Sequence, residues 1–255
     1  MKLIRPFENV KKRTQSLIGL GWLLLLLATW LFYGRGDTHL FPTISQVSEG
    51  FVDLWKGGLV VHVFSSLLLC AKAVTLSIII SLLFAYLSTL PIIKPVANMV
   101  SKFRYLPLTG ITFYITMIVS DGRSVQVWIL VLFMTTYLVT SLLSTLKDIK
   151  EEEFDHARTL GCTRWEMLWE VVIKGRLDYV IECIRQNFAM IWFALVTVES
   201  ILAASGGIGF LIKNSDKFMN HGRIIALQII ILLIGVSIDK ILNFTRKTLF
   251  RYSKF

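Results

Sequence analysis

LVVHVFSSLLLCAKAVTLSIIISLLFAYLSTL, residues Leu59–Leu90, is a run of 32 residues broken only by His62, Lys72 and small hydroxyl side chains, and closed by Pro91 and Pro95. As a helix it would rise about 48 Å at about 1.5 Å per residue, against a bilayer core of about 30 Å. A membrane-crossing helix near Leu68–Leu90, with Leu59–Leu67 as an interfacial lead-in, absorbs the excess. The composition agrees with this reading. Of 255 residues 55% are hydrophobic and 17% charged, where a soluble domain carries about 45–50% and about 25%. A disordered chain is excluded, and an ordinary cytosolic enzyme is disfavoured. The net charge of +10 is carried between the apolar runs, which fits loops beside anionic lipid rather than a basic nucleic-acid groove.

Working outward, five more apolar runs appear. Leu17–Tyr33 follows Lys2, Arg5, Lys11, Lys12 and Arg13 and ends in Trp30, Phe32 and Tyr33. It reads as an uncleaved first helix rather than a signal peptide, which would have a shorter apolar region and a small-residue cleavage site. Leu106–Val119 is short, with Pro107 suited to a first helical turn; a span of this length needs protein around it. Asp121-Gly122-Arg123 makes a tight turn into Val125–Leu146. A polar stretch, Lys147–Asp178, precedes Val180–Ala204. The Gly-rich Ser205–Arg223 then separates this from Ile224–Phe244. The expected fold is an all-α integral membrane protein of six transmembrane helices in one domain spanning residues 1–255. Both termini are expected in the cytoplasm, because 19 Lys and Arg then fall in cytoplasmic segments and 6 outside.

The stretch 147–178 is long for a loop between membrane helices and has helical patterning. Glu151, Glu152, Glu153 and Asp155 put negative charge at a helix start. Phe154, Ala157, Leu160 and Gly161 make one narrow apolar face, with Gly161 a helix stop. Thr163 is a candidate N-cap, and Trp165, Leu168, Trp169 and Val172 recur at the spacing of an amphipathic second helix. From pattern alone, the pair is either a docking knob or a connector lying on the membrane.

Asp155-His156-Ala157-Arg158-Thr159-Leu160-Gly161 resembles the E-A-A-x-x-x-G loop of permease subunits of ATP-binding-cassette importers, and the chain is similar to the nitrate/sulfonate/taurine type. Arg104-Tyr105-Leu106-Pro107 resembles the opening of that family's third helix. Val198-Glu199-Ser200-Ile201-Leu202-Ala203-Ala204-Ser205-Gly206-Gly207-Ile208-Gly209-Phe210-Leu211 resembles its segment after the fifth. Asp155 replaces the usual Glu and His156 the first Ala. Lys174 and Asp178 stand where the family usually has prolines, leaving the bend into the fifth helix undetermined.

The resemblance implies a transport subunit of the bacterial inner membrane, not an enzyme. Its partners would be two copies of an ATP-binding subunit, a periplasmic or lipid-anchored solute-binding protein, membrane lipid and a second copy of this chain, with no nucleic acid. It would transport a small solute, with nitrate, a sulfonate or a related organic acid as the family-level expectation. The coupling loop would use Asp155, His156, Ala157, Arg158, Gly161, Arg164 and Trp165. Ala157 and Gly161 would permit close approach, and Asp155 and Arg158 would pair with charges on the ATPase. No cofactor is expected on this chain, since no phosphate-binding glycine loop of the Walker type occurs in it; ATP and Mg²⁺ would sit on the partner.

Other residues allow two readings each. Glu199 is a pathway or gate residue, or an interfacial carboxylate, since a carboxylate inside a membrane helix costs about 2.5–3.5 kcal/mol. Ser205, Gly206, Gly207 and Gly209 line a gate or form a plain turn. Glu182 and Arg185 make a helix-surface ion pair or face the pathway, and Lys72 snorkels to the outer interface or attracts an anion. No metal site is expected around His39, His62 or His221, and no disulfide among Cys70, Cys162 and Cys183. A passive channel or scaffold remains the alternative. An intramembrane protease using Ser205 and His221 has little behind it, because nothing would activate the serine.

Overall fold

The computed structural model describes residues 12–33, 42–202 and 206–250. Every regular element among them is helical. They are α1 (Lys12–Tyr33), α2 (Ile44–Lys56), α3 (Leu59–Leu87), α4 (Lys94–Lys102), α5 (Leu108–Ile118), α6 (Gly122–Lys147), α7 (Glu151–Thr159), α8 (Arg164–Met167), α9 (Leu177–Leu202), α10 (Ile208–Lys217) and α11 (His221–Leu249).

Among the described residues, four helical runs are long and apolar enough to cross a membrane: α3, α6, α11 and the 39 residues from Arg164 to Leu202. The expected first span is α1, whose 22 residues rise about 33 Å. It joins the core through Trp30, whose indole N–H donates to Pro42 O at 3.2 Å. The expected third span is α5, whose 11 residues rise only about 16 Å. Its own chain does not surround it: Phe113, Tyr114, Met117 and Ile118 are exposed and only Ile115 is buried.

The long run forms one helix from Leu59 to Leu87, so the expected lead-in Leu59–Leu67 is continuous with the span. Leu59 and Ser66 are buried in the same helix as Ala73 and Ala85. The reason lies in one face of α3. Ser66, Cys70, Ala73, Ser77, Ser81 and Ala85 recur every three or four residues and are all buried. Small residues let another backbone come close, and α6 lies along this face, with Ser77 Oγ donating to Val131 O at 3.3 Å. The start of α6 is level with Ser65, to which Arg123 donates.

From there the core builds across the bundle. Ile129, Leu130, Met134 and Leu138 of α6 and Ile191, Ala194 and Leu195 of α9 are buried, together with Ala226 and Leu227 of α11. Three further helices lie between the expected spans. α2 opens with a capping box between Thr43 and Gln46, buries Val47, Gly50 and Leu54, and packs on α11. α4 follows Ile93 with Pro95 in its first turn. α10 occupies part of the stretch expected to be a Gly-rich connection.

Candidate functional site

One candidate lies at the loop between α6 and α9. α7 ends in a Schellman arrangement: Cys162 N–H donates to Ala157 O at 3.1 Å and Gly161 N–H to Arg158 O at 3.0 Å. Gly161 has φ of 78° with open space where a Cβ would lie. The left-handed turn favours glycine here, and no close approach within the chain requires it. Thr163 then caps α8. Its N–H donates to Glu166 Oε2 at 2.7 Å, and Glu166 N–H returns to Thr163 Oγ1 at 3.4 Å. A C-cap followed at once by a capping box fixes the angle between α7 and α8.

This geometry redistributes the expected docking residues. Asp155, His156, Arg158, Gly161, Arg164 and Trp165 are exposed, but Ala157 is buried within the chain. Ala157 is thus covered by its own chain, while the other expected docking residues face outward. The apolar face first read through Phe154, Ala157, Leu160 and Gly161 is split, with Ala157 turned inward and Leu160 outward at 83% exposure. Leu160, Trp165 and Trp169 are the large apolar side chains that the knob leaves uncovered. Asp155 and Arg158 pair with each other at 2.6 Å, and Arg158 also reaches Glu151 at 3.0 Å. These pairs raise the Arg158 guanidinium above its ordinary value. Being exposed, they are weak and can exchange partners.

The missing prolines leave no break. From Arg164 the chain passes through a π-helical turn (Leu168–Ile173) and a 3₁₀ turn (Lys174–Arg176) directly into α9. These changes of pitch re-aim the helix without interrupting it. Arg176 Nη2 donates to Glu153 Oε1 and its guanidinium lies 5.2 Å from the Tyr179 ring. The knob is thus tied to the foot of α9.

At the other end of α9 stands the second candidate. Glu199 is fully buried. Ser66 Oγ lies 2.8 Å from both of its oxygens, and Gly209 N–H donates to Oε2 at 3.0 Å. Ser66 Oγ in turn accepts from Ile208 N–H at 2.9 Å, and His62 Nδ1 accepts from Gly207 N–H at 3.1 Å. A carboxylate here meets the first amides of α10, where the helix dipole favours negative charge. A Cβ on Gly207 would lie 2.3 Å from Glu199 Oε1, and one on Gly209 2.3 Å from Val196 O. The glycines therefore let the start of α10 seat on Glu199. Gly206, Gly207 and Gly209 form a fixed latch between α3, α9 and α10 rather than a plain turn. Ser205, named with them, lies outside the described residues.

Two groups of charge complete the picture. Glu182 and Arg185 do pair, at 2.7 Å, but the cluster also reaches α11. Arg185 meets Asp239 at 2.8 Å, and the buried Arg246 donates to Glu182. The sequence reading missed Asp239 and Arg246, whose distance along the chain hides the cluster.

Near the start of α6, a cavity of about 430 Å³ is lined by Ser65, Lys72, Asp121, Arg123 and Ser124, with Leu68, Leu76 and Trp128 among its apolar walls. Ser124 N–H and Oγ each bond Asp121 at 2.8 Å and hold its carboxyl below the usual carboxylate range. Because α3 begins at Leu59, Lys72 stands near its middle, about 20 Å from either end, rather than one turn from the end of a span starting at Leu68.

The sequence matches the model of the family described as binding-protein-dependent transport system inner membrane component over residues 55–249. It is 26% identical to the taurine transport system permease protein TauC of Escherichia coli (strain K12), covering 88% of this chain and 86% of that one. It is 23% identical to the bicarbonate transport system permease protein CmpB of Synechococcus elongatus, over 97% and 95%. The fold resembles a chain of a crystal structure of an amino acid ABC transporter with histidines (TM-score 0.66, 17% identity, 77% and 96% covered). It also resembles a chain of the MetNI methionine ABC transporter in inward-facing form (0.62, 14%, 76% and 94%).

Proposed function

This chain belongs to the family of binding-protein-dependent transport system inner membrane components and is an ABC-importer permease of the nitrate/sulfonate/taurine type; from that premise we propose how its parts divide the work. The family implies an ATPase subunit and a solute-binding protein as partners. In the proposed arrangement both termini and the α7–α8 knob lie in the cytoplasm. Two copies of the chain pair, each gripped by one copy of the ATPase, which holds ATP and Mg²⁺. The binding protein delivers a small anion from the opposite side, consistent with relatives named for taurine, bicarbonate and sulfonates. Pairing also accounts for α5, whose exposed Phe113, Tyr114 and Met117 flank a helix too short to cross the bilayer core by itself.

The observation that carries this reading is the knob. Leu160, Trp165 and Trp169 are exposed on a turn capped from both sides, and an apolar face held this rigidly supports a partner seated on it. ATP-driven closure of the ATPase pair would carry the knobs with it, and the helical run from Arg164 to Leu202 would convey that displacement to the latch at Glu199. A passive channel or scaffold is not favoured by the family.

The test is reconstitution into proteoliposomes with the ATPase and the binding protein. Uptake is expected only when ATP and both partners are present. Equal uptake without the ATPase would overturn the reading.

A further inference from the structure

Of the four membrane-length helical runs, α11 is the least covered by the rest of its chain: 11% of its apolar window is buried, against 56% for α6. Its His221 end is held by close backbone packing, since a Cβ on Gly222 would lie 2.4 Å from Gln46 O of α2. Its middle meets α9 through Trp192, whose indole N–H donates to Ile231 O at 3.1 Å. Beside that contact an apolar cleft of about 600 Å³ lies between the two helices. Apolar surfaces in a bilayer gain little by leaving lipid for each other, so such a cleft does not hold helices together. The Arg246 end is held by charge. Asp239 meets Arg185 at 2.8 Å, Arg185 meets Glu182 at 2.7 Å, and Glu182 accepts from the buried Arg246. The partners of Glu182, Arg185 and Trp192 run backwards along α11, so the two helices are antiparallel and the charges form two rungs, Glu182–Arg246 and Arg185–Asp239. Signs alternate along this chain of four and cancel. Breaking either rung leaves a partly buried charge short of a partner, which is costly.

We propose that Glu182, Arg185, Asp239 and Arg246 clasp α11 to α9, so that the displacement the ATPase gives the knob carries both helices as one body. Asp239 and Arg246 are then positioning residues for transport. The proposal rests on the importer reading and adds α11 to the part that moves. Arg176, which donates to Glu153 of α7, precedes Glu182 on the same helical path. The path therefore has two ties, one to the knob and one to α11. Without the second, the knob still moves α9, while α11, packed on α2 at Gly222, stays behind and the cleft widens at its Arg246 end.

The experiment uses the detergent-purified complex of this chain with its ATPase. Spin labels are placed at the exposed Leu177 and Phe244 by Leu177→Cys and Phe244→Cys, with Cys70, Cys162 and Cys183 changed to serine, and labelled chain is diluted with unlabelled. The separation of the labels is measured without nucleotide and with ATP and vanadate. With the clasp intact it should change by less than about 1 Å, whereas in Asp239→Asn and in Arg246→Gln it should grow by about 3 Å or more, beyond the helix shifts of about 1–2 Å common at packed interfaces. Asp239→Glu and Arg246→Lys, which keep the charges, should behave as the intact chain does. A separation that changes with nucleotide while the clasp is intact overturns the proposal. So does one that ignores nucleotide in the neutral variants, as a purely structural tie would give. Asp239 is half exposed, so Asp239→Asn should fold and decides the outcome if Arg246→Gln does not. ATP-dependent uptake by the wild-type complex, measured separately, distinguishes the two readings. Uptake together with an unmoved separation in the variants removes only the clasp, whereas a complex without uptake removes the importer reading and the clasp's role with it.

Discussion

Glu199 makes the latch depend on a single carboxylate. Its oxygens serve Ser66 Oγ and Gly209 N–H inside a packed junction, so Glu199→Gln keeps the shape but weakens charge-assisted bonds. The expected loss is about 1–3 kcal/mol, read as a lower melting temperature of the detergent-purified protein and slower uptake. Gly207→Ala should be worse, because its methyl would overlap the Glu199 carboxylate at a φ of 114°. A melting temperature for Gly207→Ala at or above that of Glu199→Gln would contradict this geometry. At this scale the sequence was half legible. Glu199 and the glycines drew notice as a carboxylate in an apolar helix followed by small residues. Their joint role was hidden because Ser66 and His62 come from α3, more than 130 residues earlier. No local spacing encodes that meeting.

Among the elements, α7 and α8 separate surface from support. Trp165 and Trp169 are exposed while Ala157 is buried, so two kinds of substitution should part cleanly. Trp165→Ser with Trp169→Ser should cut ATPase co-purification about tenfold, a loss typical of removing aromatic anchors, and leave the permease's own melting temperature unchanged. Ala157→Arg should lower that melting temperature, because it forces a charge into a packed position. Normal ATPase recovery with the double variant would mean that the partner grips elsewhere. The helix stop at Gly161 and the cap at Thr163 were readable because such signals are local. The continuous path from Arg164 into α9 was not, since a family habit of prolines suggested a bend where this sequence changes helical pitch instead. α2 and α10 were not legible for a related reason: their apolar residues alternate with polar ones over only 13 and 10 residues, too short to stand out beside the long apolar runs.

For the whole molecule, hydropathy found the long helices correctly and overestimated what one chain does alone. The short run at Leu106–Val119 was expected to be wrapped in protein, yet most of α5 is uncovered by its own chain. In the proposed pairing a second copy supplies that cover, which a single sequence cannot display. Native mass spectrometry of the purified importer should find two copies of this 29.1 kDa chain; a complex with one copy would require another occupant for α5.

The helical run from Arg164 to Leu202 has no hinge residue of the proline type between the knob and the latch. In the proposed mechanism work applied at one tip is felt at the other, and thermodynamic linkage makes such transmission symmetric for binding equilibria. Immobilising the far tip should then brake the motor. A covalent cross-link between α3 and α9 at that tip, placed at positions that leave Ser66 and Glu199 intact, should slow nucleotide turnover by the attached ATPase relative to the same variant before cross-linking. Turnover indifferent to that clamp would mean the shaft slips.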